Sequence, residues 1–159
     1  MKYLIIIVTV FSIGGCMTAD LTARGPAFNE IQNIPEGKSV AYFYTQDYRG
    51  GNACWLIGID SVRSKCMGFP GYVALLVDAG QRTISTTPNA PIKIANGKFD
   101  FNFEKGKSYY FEWVEIPRRK IKEDYVFTMY NMAYDTRFGW QVIPYDQALP
   151  VISSLNSWQ

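Results

Sequence analysis

An all-β sandwich closed by one short C-terminal helix is the fold class this 159-residue sequence predicts. Three observations lead there. β-branched and aromatic runs are short and closely spaced, glycine, asparagine and aspartate stand between them, and helical spacing appears only at the end of the chain.

The first run is SVAYFYTQ at 39–46, followed by CWLIGID at 54–60, GYVALLV at 71–77, RTISTT at 82–87 and IKIA at 92–95. KFDFNFE at 98–104 alternates without a break. It puts Phe99, Phe101 and Phe103 on one face and Lys98, Asp100, Asn102 and Glu104 on the other, the period of a half-buried strand. SYYFEWVEI at 108–116, YVFTMYNM at 125–132 and FGWQVIP at 138–144 continue the pattern. Asp78-Ala79-Gly80, Asn96-Gly97 and Lys105-Gly106-Lys107 mark turns, where glycine relieves the cost of a positive φ.

The tail from Tyr145 to Leu155 places Ala148, Val151, Ile152 and Leu155 at helical spacing, with Pro144 or Asp146 near the start. Pro150 is tolerable there only in a first turn. Many short strands argue for an antiparallel β-sandwich of the Ig-like or transthyretin-like kind.

The N-terminus carries a different signal. Lys2 precedes an apolar run from Leu4 to Ile13, interrupted only by Thr9 and Ser12 and followed by Gly14, Gly15 and Cys16. A span of the bilayer takes roughly 20 residues, so this run fits the h-region of a secretory signal instead. Ile13-Gly14-Gly15-Cys16 resembles the lipobox of bacterial lipoproteins, in which aliphatic, small, small, Cys directs lipidation of the cysteine and cleavage before it.

The expectation is therefore a signal peptide at 1–15, a lipidated N-terminus and tether at 16–35, and a sandwich domain at 36–159. Acyl chains such as palmitate on Cys16 would hold the chain to membrane lipid, each buried methylene contributing roughly 0.8 kcal/mol. Met17 follows the cysteine where the lipoprotein sorting rule would use Asp for inner-membrane retention, so the expected site is the outer membrane, periplasmic side. Residues 17–35, MTADLTARGPAFNEIQNIP, lack strong periodicity, as a tether would.

Assigning Cys16 to lipid leaves Cys54 and Cys66 as an even pair in an oxidising compartment, where a disulfide is the default. If residues 53–59 and 62–67 form a hairpin about Asp60-Ser61, the two cysteines fall opposite one another on the same face. Closing a loop of that size stabilises by roughly 3 kcal/mol in the chain-entropy model.

Composition excludes several chemistries. With no histidine, Ser-His and Cys-His arrangements are impossible, and two cysteines do not make a zinc site. Gly50-Gly51 and the Gly68 to Gly71 stretch lack the helix and lysine of a phosphate loop. Sixteen Lys and Arg against fourteen Asp and Glu give no nucleic-acid signature. The one basic cluster, Arg118-Arg119-Lys120 with Lys122, reads as a solvated loop, with a phosphate- or headgroup-facing patch as the alternative. No cofactor or metal is expected.

The middle of the chain resembles a known family. GKSVAYFYTQ, IGIDSVRS, GYVALLVDAGQRTI and NGKFDFNFEKGKSYYFEW follow the order of the lipoprotein family labelled domain of unknown function 2846, over residues 34 to 116. That resemblance implies a secreted or lipid-anchored β-sandwich and no known reaction. The cysteine pair departs from the family pattern.

Eleven Tyr, ten Phe and four Trp are more rings than one core face needs. Tyr42 and Tyr44 alternate with Phe43, and Tyr110 points away from Tyr109, Phe111 and Trp113, so some strands carry rings on both faces. Exposed Tyr and Trp are enriched at recognition surfaces, so Tyr42, Tyr44 and Tyr110 are a candidate binding surface for an envelope protein or glycan. The alternative is that the terminal helix or the tether covers them. The functional expectation is a membrane-anchored, non-enzymatic binding or structural module. A carboxylate-dependent envelope hydrolase is the second reading, with Asp60 and Asp78, or Glu112 and Glu115, as its acids.

Overall fold

In a computed structural model, residues 23–46, 54–60, 62–68, 70–88, 97–116, 125–131 and 136–158 are described. The strands are β1 (Lys38–Thr45), β2 (Trp55–Ile59), β3 (Val62–Met67), β4 (Gly71–Asp78), β5 (Gly80–Pro88), β6 (Gly97–Phe103), β7 (Ser108–Ile116), β8 (Tyr125–Asn131) and β9 (Thr136–Ile143). One helix among the described residues, α1 (Tyr145–Ile152), follows. The strands form a five-stranded sheet in the order β4-β1-β7-β9-β8 and a four-stranded sheet in the order β3-β2-β5-β6. The chain is thus an all-β sandwich with a short C-terminal helix.

Among the described strands, one pairing departs from a wholly antiparallel arrangement. β1 and β7 run parallel, with Tyr42 beside Tyr110 and Phe43 beside Phe111. The strands between them in sequence include all of the second sheet, which supplies the long crossover that a parallel pair requires. The expected strand at 92–95 and the basic cluster at 118–122 lie outside the described residues.

Alternation sorts the side chains as the sequence predicts in β6, where Phe103 is buried, Phe99 and Phe101 pack against the core, and Lys98, Asp100 and Asn102 face solvent. Between the sheets, Phe43 stacks on Phe111 with centroids 4.7 Å apart and meets Trp140 edge-on at 5.1 Å. Trp140 also meets Trp113 at 4.9 Å. Such contacts favour offset or edge geometry because ring faces and edges carry opposite partial charge. Trp140 is fully buried, and its indole N–H donates to Thr86 Oγ1 at 2.8 Å across the sandwich.

The β2–β3 hairpin turns at Asp60, whose φ of 51° is the left-handed conformation that aspartate tolerates better than most residues. Register shifts between Leu56 and Gly58. The buried Ile57 amide at that irregularity donates to Ser64 Oγ at 2.8 Å, a side chain replacing a ladder acceptor.

The helix is shorter than the 145–155 segment that the spacing suggests. Ala148 and Ile152 are buried, while Leu155 is buried beyond the helix end. Pro150 lies outside the first turn, sixth of eight residues in a helix that is short. Its missing N–H falls where the helix is about to stop, which limits the damage.

Thr86→Val keeps the shape of residue 86 while leaving the Trp140 N–H unpaired in the core. It is expected to lower unfolding free energy by about 1–3 kcal/mol, the cost of a buried donor without a partner. Ser85→Ala, one residue away and only half-buried, is expected to cost less than about 0.5 kcal/mol. Urea denaturation of both variants checks this; equal midpoints would contradict it.

Candidate functional site

The outer face of the five-stranded sheet collects the candidate residues. β1 sends Val40, Tyr42 and Tyr44 outward, β4 sends Tyr72 and β7 sends Tyr110, and all five are buried. Tyr42 and Tyr110 stack at 5.1 Å because the parallel register sets them side by side.

Of the two readings of these tyrosines, an exposed binding surface or a face covered by the terminal helix and the N-terminal segment, the structure shows the second. Tyr42 and Tyr44 are 0% exposed and Tyr110 is 2% exposed. The reason is a third layer. Ala148 and Ile152 of α1, with Leu155, cover part of the face, and Phe28, Ile31 and Ile34 from the N-terminal segment pack against the rest. Phe28 meets the rings of Tyr42 and Tyr72 edge-on, each at 5.3 Å.

The segment expected to be a free tether is therefore, from Ala23 to Ile34, a strap packed on the sheet. Gly25 N donates to Ser157 O at 2.9 Å, Ser157 N to Pro26 O at 2.8 Å and Phe28 N to Leu155 O at 3.0 Å. The backbone of Tyr72 in turn binds that same C-terminal segment, its N–H donating to Asn156 O at 3.1 Å and its carbonyl accepting from Trp158 N at 2.9 Å. The strap and the C-terminal segment meet at Gly71, where any Cβ would collide with the Trp158 indole and the Ala23 methyl.

Polar groups on the strap complete the attachment. The Ile31 amide donates to the Tyr42 hydroxyl oxygen at 2.8 Å. The Tyr110 hydroxyl donates to Glu30 Oε1 at 2.8 Å, and the exposed Tyr145 hydroxyl reaches Glu30 Oε2 at 3.4 Å. Burial raises the Tyr110 phenol above its ordinary pKa, and the Glu30 carboxylate that accepts its hydrogen bond raises it further. Burial also raises Tyr42 and Tyr44. The Tyr44 hydroxyl is buried without a hydrogen-bond partner.

The structure brings Cys54 and Cys66 to disulfide distance, with Cα atoms 5.3 Å apart. Their relation differs from the direct opposition expected. Cys66 pairs with Leu56, so Cys54 reaches it diagonally on the same face. Ile59 pairs with Val62, so the two-residue turn by itself sets Cys66 opposite Trp55, and the register shift between Leu56 and Gly58 moves it one residue further, to Leu56.

Asp60, Asp78 and Glu112 each have a polar partner. Asp60 Oδ2 is 3.2 Å from the Arg82 guanidinium and Asp60 Oδ1 accepts from Thr83 N at 3.1 Å. Asp78 pairs with Lys38, whose hydrogen bond and charge hold its carboxyl below the usual range. Glu112 accepts from Gln46 Nε2 at 2.7 Å, and the side chain of Glu115 lies outside those described. Among the described residues no group of three or more His, Cys, Asp or Glu could hold a metal ion, and no helix is long and apolar enough to cross a membrane. Cys16 also lies outside the described residues.

No family model matches the chain, and no curated protein or solved structure matches it either. Glu30, Phe28 and Ile31 are the important residues that sequence reasoning passed over. Their signal was the three-residue spacing of Phe28, Ile31 and Ile34.

The buried phenols set a pH limit. Tyr42, Tyr44 and Tyr110 all have raised pKa values when folded, so above pH about 10 the folded state holds protons that the unfolded state releases. Stability is therefore fully present below that pH and falls as pH rises beyond it. Denaturant midpoints measured on either side of pH 10 are expected to decline with alkalinity, and less steeply in Tyr110→Phe, which has one fewer phenol to ionise.

Proposed function

We propose that this chain is an envelope lipoprotein, cleaved before Cys16, acylated on that cysteine, and held at the periplasmic side of the outer membrane. Its sandwich acts as a non-enzymatic binding or structural module for an envelope protein or glycan. The observation that carries the reading is Ile13-Gly14-Gly15-Cys16 placed directly after a basic residue and a short apolar run.

Other features support it. Cys54 and Cys66 at disulfide distance suit an oxidising compartment. The ion pairs of Asp60 with Arg82 and Asp78 with Lys38 occupy one of the two acid pairs that the hydrolase reading would use. The resemblance of residues 34–116 to a lipoprotein family points the same way and rests on the stretches of sequence quoted for it.

Cys16→Ser is expected to yield an unprocessed precursor retaining residues 1–15, with no acyl mass. Intact-mass spectrometry of envelope fractions checks this. A mature, acylated mass in that variant would overturn the assignment.

A further inference from the structure

The strap fixes where an anchor on Cys16 would have to lie. Ala23, at the start of the described chain, is 4% exposed, and its N–H donates to Pro70 O at 3.4 Å. Its methyl and the Trp158 indole flank Gly71, the first residue of β4. Gly71 pairs with Thr45, the last residue of β1, so the chain enters the fold at the end where β1 finishes.

From there the strap runs across the outer face toward Lys38, at the opposite end. Only seven peptide steps separate Cys16 from Ala23. At roughly 3.3–3.6 Å per residue they reach no more than about 25 Å.

That opposite end carries the turns. Lys38 pairs with Asp78 and Arg82 with Asp60, and the Arg82 guanidinium donates further to the carbonyls of Asp78 and Ala79 at 3.0 Å each. Glu104, Lys105 and Lys107 are exposed beside them, with Gly106 N donating to Lys38 O at 2.8 Å. An end crowded with hydrated charges of both signs belongs in water.

We infer that the sandwich stands end-on at the bilayer, with the end bearing Ala23, Pro70 and Trp158 toward the phospholipid headgroups and the turns at Asp60, Asp78 and Lys105 directed away. The inference rests on the proposed attachment at Cys16. A packed strap is what makes it specific: were residues 23–34 free, the first fixed point of the fold would be Lys38, at the opposite end of β1. With the strap docked, an eight-residue strand of about 26 Å separates the near end from the far one.

The test supplies the lipid chemically, so that a failure of native acylation is scored separately by the Cys16→Ser experiment. The chain 16–159, with the Cys54–Cys66 disulfide intact, is coupled through the Cys16 thiol to a maleimide phospholipid in vesicles of phosphatidylethanolamine and phosphatidylglycerol. A clickable residue at Gln46 or at Lys105, both exposed, carries a donor dye, and labelled headgroups serve as acceptors. Energy transfer from position 46 is expected to exceed that from position 105 by at least about twofold, given the difference in height. Inserting about twelve glycine and serine residues before Ala23 is expected to erase that difference, since a flexible linker of that length no longer orients the domain. Equal or reversed transfer in the parent chain, or a difference that survives the insertion, would overturn the inference.

Discussion

β1 is buried on both faces, and the rest of the architecture follows from that constraint. Ala41 and Phe43 point into the space between the sheets, while Val40, Tyr42 and Tyr44 point the other way and are equally inaccessible. A two-layer sandwich covers only one face of each sheet. Leaving Tyr42, Tyr72 and Tyr110 open would keep several large apolar ring surfaces in water, each with a burial free energy of roughly 1.5–3 kcal/mol. The third layer of strap and helix removes that exposure.

That layer couples the strap to the C-terminal segment. The C-terminal segment lies between β4 and the strap, hydrogen-bonded to Tyr72 on one side and to Gly25, Pro26 and Phe28 on the other. Gly71 is the crossing point because it alone leaves room for Trp158 and Ala23 together. A chain that reads as a tether followed by a domain is therefore a domain that begins inside the tether. For an anchored protein the difference matters, since the length of free linker sets how far the fold stands from the membrane and whether it can rotate.

Much of the fold was legible because its signals are local. KFDFNFE declares its faces by alternation, and Asp78-Ala79-Gly80 and Lys105-Gly106-Lys107 declare their turns by residue type. The parallel pairing of β1 with β7 has no local signature, because it joins strands that lie far apart in the chain. The irregularity at Ile57 was hidden for a similar reason: its acceptor is Ser64, a residue with no evident role in the sequence. Tyr42, Tyr44 and Tyr110 were correctly placed on the face away from the core, but their exposure depended on residues far off in the chain. Glu30 shows this most clearly, since its partner Tyr110 lies 80 residues away.

The central claim is that residues 23–34 are a packed layer of the fold and not a tether. Native-state hydrogen exchange reads it directly at two amides, Phe28, which donates to Leu155, and Ile31, which donates to the Tyr42 hydroxyl. Both are expected to exchange at least about a hundredfold more slowly than an unstructured chain. Exchange at the unstructured rate at both positions, with the core strands still protected, would contradict the account.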